Sequence, residues 1–407
     1  MRRLAAPLLL LVTILTAGCW DIRQVEDLAL ITLIAVDTAP REEVKVILQI
    51  LNPRVLAGGA PAGGVAPGAS ISAKPFRNYE GVGPTVLAAI SEVSHAVPER
   101  LFFAQSRGIL FGEKLARKGL GRAIDFFDRS VGIRKLAYVA VARGELPEVI
   151  DIPNPHEVSP AERIQGIMRN LEETSHFRYV NLGKFLSMLD SEGQDAHCAT
   201  VYAVKNPTQR LGPYRPGTEG LQPAMTLKVS GTALFRGDKL VGFLGKHETR
   251  GLLWTQGEVQ GGQIDVPCPT DKRRKVSLSI IRSGARIIPE ITGDGRLRVT
   301  VEIREEANLS ETDCLQVDTG GVGVIRQLER VQSKVIRQEV MSAVRKAQEY
   351  GSDPFGFGVA FHRRYPREWR MMKETWSEDY FPQVEVKVVA DARIRRVGLR
   401  TEPIRVD

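Results

Sequence analysis

The sequence has few cysteines, and they lie far apart. Four occur in 407 residues: Cys19, Cys198, Cys268 and Cys314. This spacing excludes a dense disulfide framework and the paired cysteines of a zinc knuckle. We expect the last three to be small buried apolar residues, with at most one pair of them bridged. The sequence leaves that pairing open.

The N-terminal apolar run is too short to cross a bilayer as a helix. It extends from Leu4 to Leu15, about half of the roughly 20 residues that a membrane helix needs. Two arginines precede it and small residues follow it, which predicts a secretory signal peptide over residues 1–18.

Cys19 follows this signal directly, and its surroundings resemble the lipobox of bacterial lipoproteins. In that motif the cysteine thiol receives a diacylglyceryl group and becomes the mature N-terminus. Two acyl chains hold a protein stably on a membrane, whereas one holds it only marginally. We therefore predict that Cys19 is the lipid attachment site. The alternative is an ordinary cleaved signal followed by a chance cysteine.

Long basic runs are also missing. The formal net charge is +8, and loss of Arg2 and Arg3 with the signal lowers it to +6. A modest excess without clusters favours a surface near anionic lipid over a nucleic-acid-binding surface. We predict no nucleic-acid partner.

The sequence lacks the common catalytic motifs, namely G-x-S-x-G, H-E-x-x-H and C-x-x-C. Gly245–Lys246 has neither the preceding glycine nor the following Ser or Thr of a phosphate-binding loop. His197 is adjacent to Cys198, but neighbouring side chains usually point apart, so we interpret both as structural. We predict no catalytic residue, no metal, no cofactor and no enzymatic activity.

The mature chain is too long for one hydrophobic core. Removal of the 18 signal residues leaves 389, which suits two or three domains. Residues 19–195 alternate strands with helices, which predicts an α/β domain. The predicted strands are 28–36, 44–51, 107–111 and 138–142, and the predicted helices are 85–96, 113–118, 122–130, 161–173 and 182–189.

Residues 196–270 are predicted to form a middle domain. Strands at 227–235 and 239–244 flank Arg236-Gly237-Asp238, which we interpret as a hairpin turn and not as an adhesion signal. A strand at 199–204 precedes them and a helix at 248–254 follows. Two tracts rich in glycine and proline, at 52–75 and 206–223, are predicted loops.

Residues 271–407 are predicted to form an α+β domain. Its pattern predicts an antiparallel meander with turns at 283–284 and 293–295, and an apolar stripe at helical spacing predicts a long helix over 324–347 packed on that sheet. The meander strands are 262–266, 275–282, 285–291 and 296–305, followed by a helix at 368–376 and a strand at 384–394. The fold class is thus mixed α/β and α+β in three domains.

Three stretches together resemble the C subunit of spore germinant receptors, the Ger(x)C lipoprotein family. The first stretch is Cys19-Trp20-Asp21 with Glu26 to Ala29. The second runs from Val229 to Phe235, continues over Lys239 to Gly242 and ends at Glu248-Thr249-Arg250-Gly251. The third is Asp353-Pro354-Phe355-Gly356-Phe357-Gly358 with Trp369 and Trp376. The resemblance covers nearly the whole mature chain.

This resemblance implies a lipid-anchored, non-enzymatic subunit that acts in nutrient-triggered spore germination. It implies a location on the outer face of the inner spore membrane, with the A and B membrane subunits of the receptor and the lipid bilayer as partners. Cys19 is the one functional position that it carries over. The alternative is a solute-binding lipoprotein of a transporter, which would need two similar α/β lobes around a cleft.

Overall fold

The computed structural model describes residues 27–52, 74–152, 157–170, 174–205, 225–269, 271–314 and 321–396. The predicted signal peptide, Cys19 and most of the two predicted glycine- and proline-rich loops lie outside the described residues. Within the described residues the chain forms two β-sheets with helices packed against both.

The first sheet begins with the predicted hairpin. β1 (Leu28–Thr38) is rich in branched apolar residues and almost entirely buried, as expected of a central strand. It pairs antiparallel with β2 (Val44–Leu51), which in turn pairs with β3 (Phe76–Gly83). This prediction is confirmed.

Four strands of the first sheet run parallel to one another: β1, β5 (Gly108–Gly112), β6 (Tyr138–Arg143) and β7 (His197–Lys205). Their first residues therefore lie along one edge of the sheet, which we call the N-terminal edge. β4 (Arg100–Phe102) pairs with the start of β1. β8 (Met225–Arg236) and β9 (Lys239–Leu244) complete the sheet in antiparallel fashion.

Helices cover both faces of this sheet, because the crossovers between parallel strands place them there. One face packs against α1 (Val86–Ala96), α2 (Glu113–Lys118), α3 (Gly121–Arg129) and α6 (Leu182–Leu189). The other packs against α4 (Leu146–Ile150) and α5 (Pro160–Arg169). These helices agree with the predicted ones within a few residues, apart from the short α4, which was not predicted.

The segment predicted as a middle domain contributes to both sheets. Its strands β7, β8 and β9 hydrogen-bond into the first sheet, and α7 (Lys246–Gln256) and β10 (Gln263–Pro267) pack with the second. The division of the chain into three domains stays a prediction.

The second sheet has the order β10, β11 (Lys275–Ile291), β12 (Leu297–Thr312) and β13 (Glu385–Arg396). β10, β11 and β12 pair antiparallel, as predicted, and β13 runs parallel to β12. The predicted turn at 283–284 is wrong, because β11 continues through it and Gly284 lies opposite Arg304. A register shift between Ile280 and Arg282 bends the strand there without ending it.

The predicted long helix is α8 (Val322–Tyr350), which packs its apolar stripe on the second sheet and on α7. Two short helices follow, α9 (Phe357–Arg364) and α10 (Pro366–Met372). Short 3-10 and π turns over residues 373–383 then lead into β13. Helices α8, α9 and α10 form one layer, which holds the second sheet against one end of the first sheet.

Candidate functional site

The structure places His197 and Cys198 on opposite faces of β7. Cys198 is buried in the core beneath α1, α3 and α6, and burial raises the pKa of its thiol. His197 is also buried, which lowers its pKa to about 3, and its Nδ1 lies 3.3 Å from the Asp195 carbonyl oxygen. The two side chains therefore form no nucleophile–base pair.

The other two short motifs are also structural. Gly237 and Asp238 form the two-residue turn between β8 and β9, and Asp238 accepts a hydrogen bond from the Gly121 backbone N–H at 2.8 Å. Gly245 caps α7, and its N–H donates to the Glu248 carboxylate at 2.6 Å. An acidic side chain at that helix start leaves no place for a phosphate.

Cys268 and Cys314 form a disulfide, and Cys198 remains a buried free thiol. Cys268 follows β10 and Cys314 follows β12, so the bond ties together the ends of two strands that flank β11. The structure therefore adopts the bridged pair that the sequence left open. All three cysteines are buried, as expected, and one pair of them is bridged.

The family stretch from Asp353 to Gly358 lies next to Trp376, at the boundary between the two sheets. Asp353 is fully buried, and its carboxylate accepts hydrogen bonds from the backbone N–H groups of residues 355 to 358 at 2.8 to 3.2 Å. The indole Nε1 of Trp376 donates to it as well, at 3.0 Å. Burial raises the pKa of Asp353 to about 7, whereas the five N–H donors favour its charged form.

Asp353 also joins the two sheets through Asp195. The Asp195 N–H donates to the Asp353 carbonyl at 2.8 Å, and the Asp353 N–H donates to the Asp195 carboxylate at 2.8 Å. The same carboxylate accepts from the Ser377 hydroxyl at 2.9 Å. We call Asp195, Asp353, Trp376 and Ser377 the aspartate junction.

Two glycines allow the backbones to approach at this junction. The Val359 N–H donates to the Gly193 carbonyl at 3.0 Å. A Cβ on Gly193 would lie 2.6 Å from the Gly358 backbone, and one on Gly358 would lie 2.8 Å from the Gly193 oxygen. Both positions therefore require glycine for lack of space.

A buried ion pair holds α7 on α8. The Arg250 guanidinium donates to both oxygens of Glu339, with Nε at 2.9 Å, and Trp254 Nε1 donates to the same carboxylate at 3.0 Å. Arg250 is 3% exposed and Glu339 is 8% exposed, so removal of either charge strands the other in the core. Gly251 lets the helices touch, because a Cβ there would lie 2.3 Å from the Glu339 carbonyl.

A third buried carboxylate lies between β12 and α8. Glu305 is 1% exposed, and burial raises its pKa to about 8. Its Oε2 accepts from the Gln332 amide at 2.7 Å, whereas its Oε1 has no hydrogen-bond partner among the described residues. A protonated Glu305 would supply the donor that the unpartnered Gln332 Oε1 needs.

A cavity of about 950 Å³ opens beside β2, β3 and α4. Apolar side chains such as Ile47 and Ile150 line part of it, and Glu80, Glu148 and Asp151 line it as well. Lys45 pairs with Glu80 at 3.1 Å and Lys74 with Asp151 at 2.8 Å, which leaves Glu148 as the lining carboxylate without an ion pair among the described residues. Such a space is of the size that small-molecule sites have.

No group of three or more His, Cys, Asp or Glu side chains in the described part of the chain could hold a metal ion. Nor is any helix within the described ranges both long and apolar enough to cross a membrane. Within the described residues, hydrogen bonds between buried polar groups join the two sheets.

Two family models match the chain in succession. "Spore germination protein N-terminal domain" matches residues 21–201, and "Spore germination B3/ GerAC like, C-terminal" matches residues 230–398. The chain belongs to the Ger(x)C family. The matches include Asp195 in the first model and Arg250, Glu339 and Asp353 in the second.

Curated relatives of this Ger(x)C protein match its sequence along nearly their full length. The chain is 28% identical over 407 residues to "Spore germination protein KC" of Bacillus subtilis (strain 168), covering 99% of this chain and 97% of that relative. It is 25% identical to "Spore germination protein B3" of the same organism, covering 94% of each. The family is one of spore germination proteins and not a known enzyme class.

A solved structure shares the fold. The "Crystal Structure of the GerBC protein" superposes with a TM-score of 0.55 at 22% identity, covering 89% of this chain and 96% of that one. The mixed α/β fold class with two sheets is thereby confirmed.

The sequence analysis did not predict that Glu305, Glu339 and Asp353 are buried, although the first two break a visible pattern. Glu305 occupies an inward position in the alternation Val299, Val301, Ile303, Ala307 of β12. Glu339 lies on the apolar stripe of α8, three residues after Ile336. An acid at a core position of an otherwise regular pattern is the signal that could have found them.

Proposed function

We propose that this Ger(x)C protein is the lipid-anchored, non-enzymatic subunit of a nutrient germinant receptor, held on the outer face of the inner spore membrane by a lipid on Cys19. It assembles there with the A and B membrane subunits and needs no cofactor. The observation that carries the proposal is the order of parts: the N-terminal family match starts at residue 21, directly after the lipobox-like Cys19.

Tethering explains how such a subunit acts without chemistry of its own. An anchor confines the body to a thin layer above the bilayer, which raises its effective concentration for membrane partners even when each contact is weak. The joined arrangement of the two sheets supports this role. When one contact with a partner fixes the position of a rigid body, the position of its other contact surfaces is fixed as well.

Cys19→Ala tests the anchor. We expect the variant to leave the membrane fraction and to assemble no receptor, because no acyl chain remains to hold it. Cys198→Ala is the matched control, since Cys198 is buried and unbonded. Fractionation of spores in which Cys19→Ala stays fully membrane-bound would contradict the anchoring proposal.

A solute-binding lipoprotein is the second candidate, and the cavity beside β2, β3 and α4 favours it. Against it, the two sheets within the described residues differ in size and topology and do not form two similar lobes. Calorimetry with amino acids and sugars distinguishes the two candidate functions. Pull-down from detergent-solubilised spore membranes complements it, because recovery of a polytopic subunit supports the receptor and recovery of an ATPase-coupled permease overturns it.

A further inference from the structure

The loop between α3 and β6 exposes two large apolar side chains at its surface. Val131 is 101% exposed and Leu136 is 72% exposed, whereas Ile133 between them is buried. The loop is fixed in place: Lys135 Nζ donates to the Phe127 and Asp128 carbonyls at the end of α3. Apolar side chains held outward by an ordered loop point to a contact surface.

The position of this loop in the sheet indicates what it contacts. Leu136 lies two residues before β6, and therefore at the N-terminal edge of the first sheet. Leu33 of β1 lies level with Tyr138, two strands or about 10 Å away through the pairings Leu33 to Gly108 and Gly108 to Tyr138, and β1 starts five residues earlier, about 17 Å further out on the same side of the sheet. From the start of β1 the chain leads back toward Cys19.

The reach of that connection is short. Cys19 is eight positions before Asp27, the first described residue, and eight fully extended residue steps span at most about 29 Å. A lipid on Cys19 would therefore keep the N-terminal edge close to the bilayer surface. The exposed Val131 and Leu136 lie on the side of the molecule that this tether turns toward the membrane.

The charges around the loop suit an anionic surface. Arg129 pairs with Asp125 at 2.8 Å and Lys135 pairs with Asp128 at 2.9 Å. Arg134 is exposed and has no carboxylate partner among the described residues. The patch thus carries an excess of one positive charge, which favours contact with an anionic leaflet.

We propose that the Val131–Leu136 loop is a second membrane contact, whose apolar tip enters the interface of an anionic bilayer and fixes the orientation of the protein. The proposal rests on the proposed lipid anchor, because two apolar side chains and one net charge would not hold the protein alone. With the anchor in place the contact is intramolecular, so a weak interaction suffices.

Depth-dependent fluorescence quenching tests this orientation. The full lipoprotein is placed in vesicles of phosphatidylcholine with about one third phosphatidylglycerol, and a fluorophore is attached at Gly132→Cys, where a Cβ meets nothing within 4 Å. The matched control is Leu87→Cys, an exposed apolar position (64%) at the opposite edge of the same sheet. Selective labelling is possible because Cys198 is buried and Cys268 and Cys314 are bonded.

We expect a quencher in the acyl chains to quench the label at position 132 several-fold more than the label at 87. Val131→Asp with Leu136→Asp should abolish that difference while the protein still floats with the vesicles.

Equal quenching at both positions in floating protein overturns the loop contact and leaves the anchor intact. If the label at position 132 is not quenched in the vesicles but is shielded from an aqueous quencher in spore membranes, the loop binds a protein partner and the proposed lipid contact is wrong. Protein that does not float overturns the Cys19 anchor, and the loop contact with it.

Discussion

Asp195 and Asp353 exchange hydrogen bonds across the boundary between the two sheets: each donates its backbone N–H to the other residue, at 2.8 Å in both cases. They are 158 positions apart in the sequence. Because one acceptor is a carbonyl and the other a carboxylate, the pair fixes both backbone and side chain. These hydrogen bonds therefore tie the start of β7 in the first sheet to the loop that follows α8.

Asp353→Asn should destabilise the protein although it preserves the shape of the side chain. One carboxylate oxygen becomes an NH2 group, which faces N–H donors from Gly358 and Trp376 or from residues 355 to 357. Leaving buried donors unpaired costs about 1 to 3 kcal/mol each, so we expect a loss of about 3 kcal/mol in the free energy of unfolding. Urea denaturation followed by circular dichroism measures it.

Asp379→Asn is the control for that change, because Asp379 is exposed and lies nearby in the chain. We expect its unfolding midpoint to match that of the unmodified protein. Equal midpoints for Asp353→Asn and Asp379→Asn would show that the aspartate junction contributes nothing to stability.

Glu339→Gln should loosen α7 from α8. The substitution removes the charge that pairs with Arg250 and leaves a guanidinium buried without a counterion, a change that typically costs about 3 to 5 kcal/mol. Hydrogen exchange measured by mass spectrometry should show faster exchange in both helices. Glu349→Gln, at an exposed position of the same helix, should leave exchange unchanged; a similar effect from both variants would contradict the role of the pair.

Local patterns in the sequence predicted most of the elements but not how they meet. The hairpin of β1 and β2 and the helix α8 were predictable because alternation and helical spacing report which face is buried. The continuous β11 was missed because Ser283–Gly284 has the composition of a turn, whereas Gly284 lies within the ladder opposite Arg304. Pairing across strands overrides local turn chemistry there.

The aspartate junction could not be predicted because its partners are distant in sequence. Asp353 was recognised as part of a family motif, but nothing in the stretch from Asp353 to Gly358 shows that one carboxylate binds four consecutive backbone N–H groups. Asp195 and Ser377 carry no local signal at all. Buried polar networks depend on tertiary contacts, and a single sequence does not record those.

Loss of the disulfide should destabilise the second sheet. Cys268 and Cys314 are 46 positions apart, and closing a loop of that length restricts the unfolded chain by about 4 kcal/mol in the chain-entropy description. We expect Cys268→Ser with Cys314→Ser to lower the free energy of unfolding by up to that amount, and the unfolding midpoint with it. Dithiothreitol should lower the midpoint of the unmodified protein in the same way and leave that of the double variant unchanged. A reductant effect of equal size on both proteins would assign it to something other than this bond.

Glu305 should make stability depend on pH in a direction opposite to that of a salt-bridged acid. Its pKa is raised to about 8 in the folded protein, so the folded state holds the proton more tightly than the unfolded chain does. The stabilisation is complete below the ordinary glutamate pKa near 4.3 and is lost as the pH rises to about 8. Glu305→Gln cannot ionise and keeps a donor for Gln332, so it should be more stable than the unmodified protein at pH 8.5 and similar to it at about pH 4, below the ordinary glutamate pKa. Glu302→Gln, on the exposed face of the same strand, should show the same pH dependence as the unmodified protein. Urea midpoints at the two pH values measure the difference, and a Glu305→Gln midpoint that follows the unmodified protein at both would show that Glu305 is ionised in the folded state at no cost.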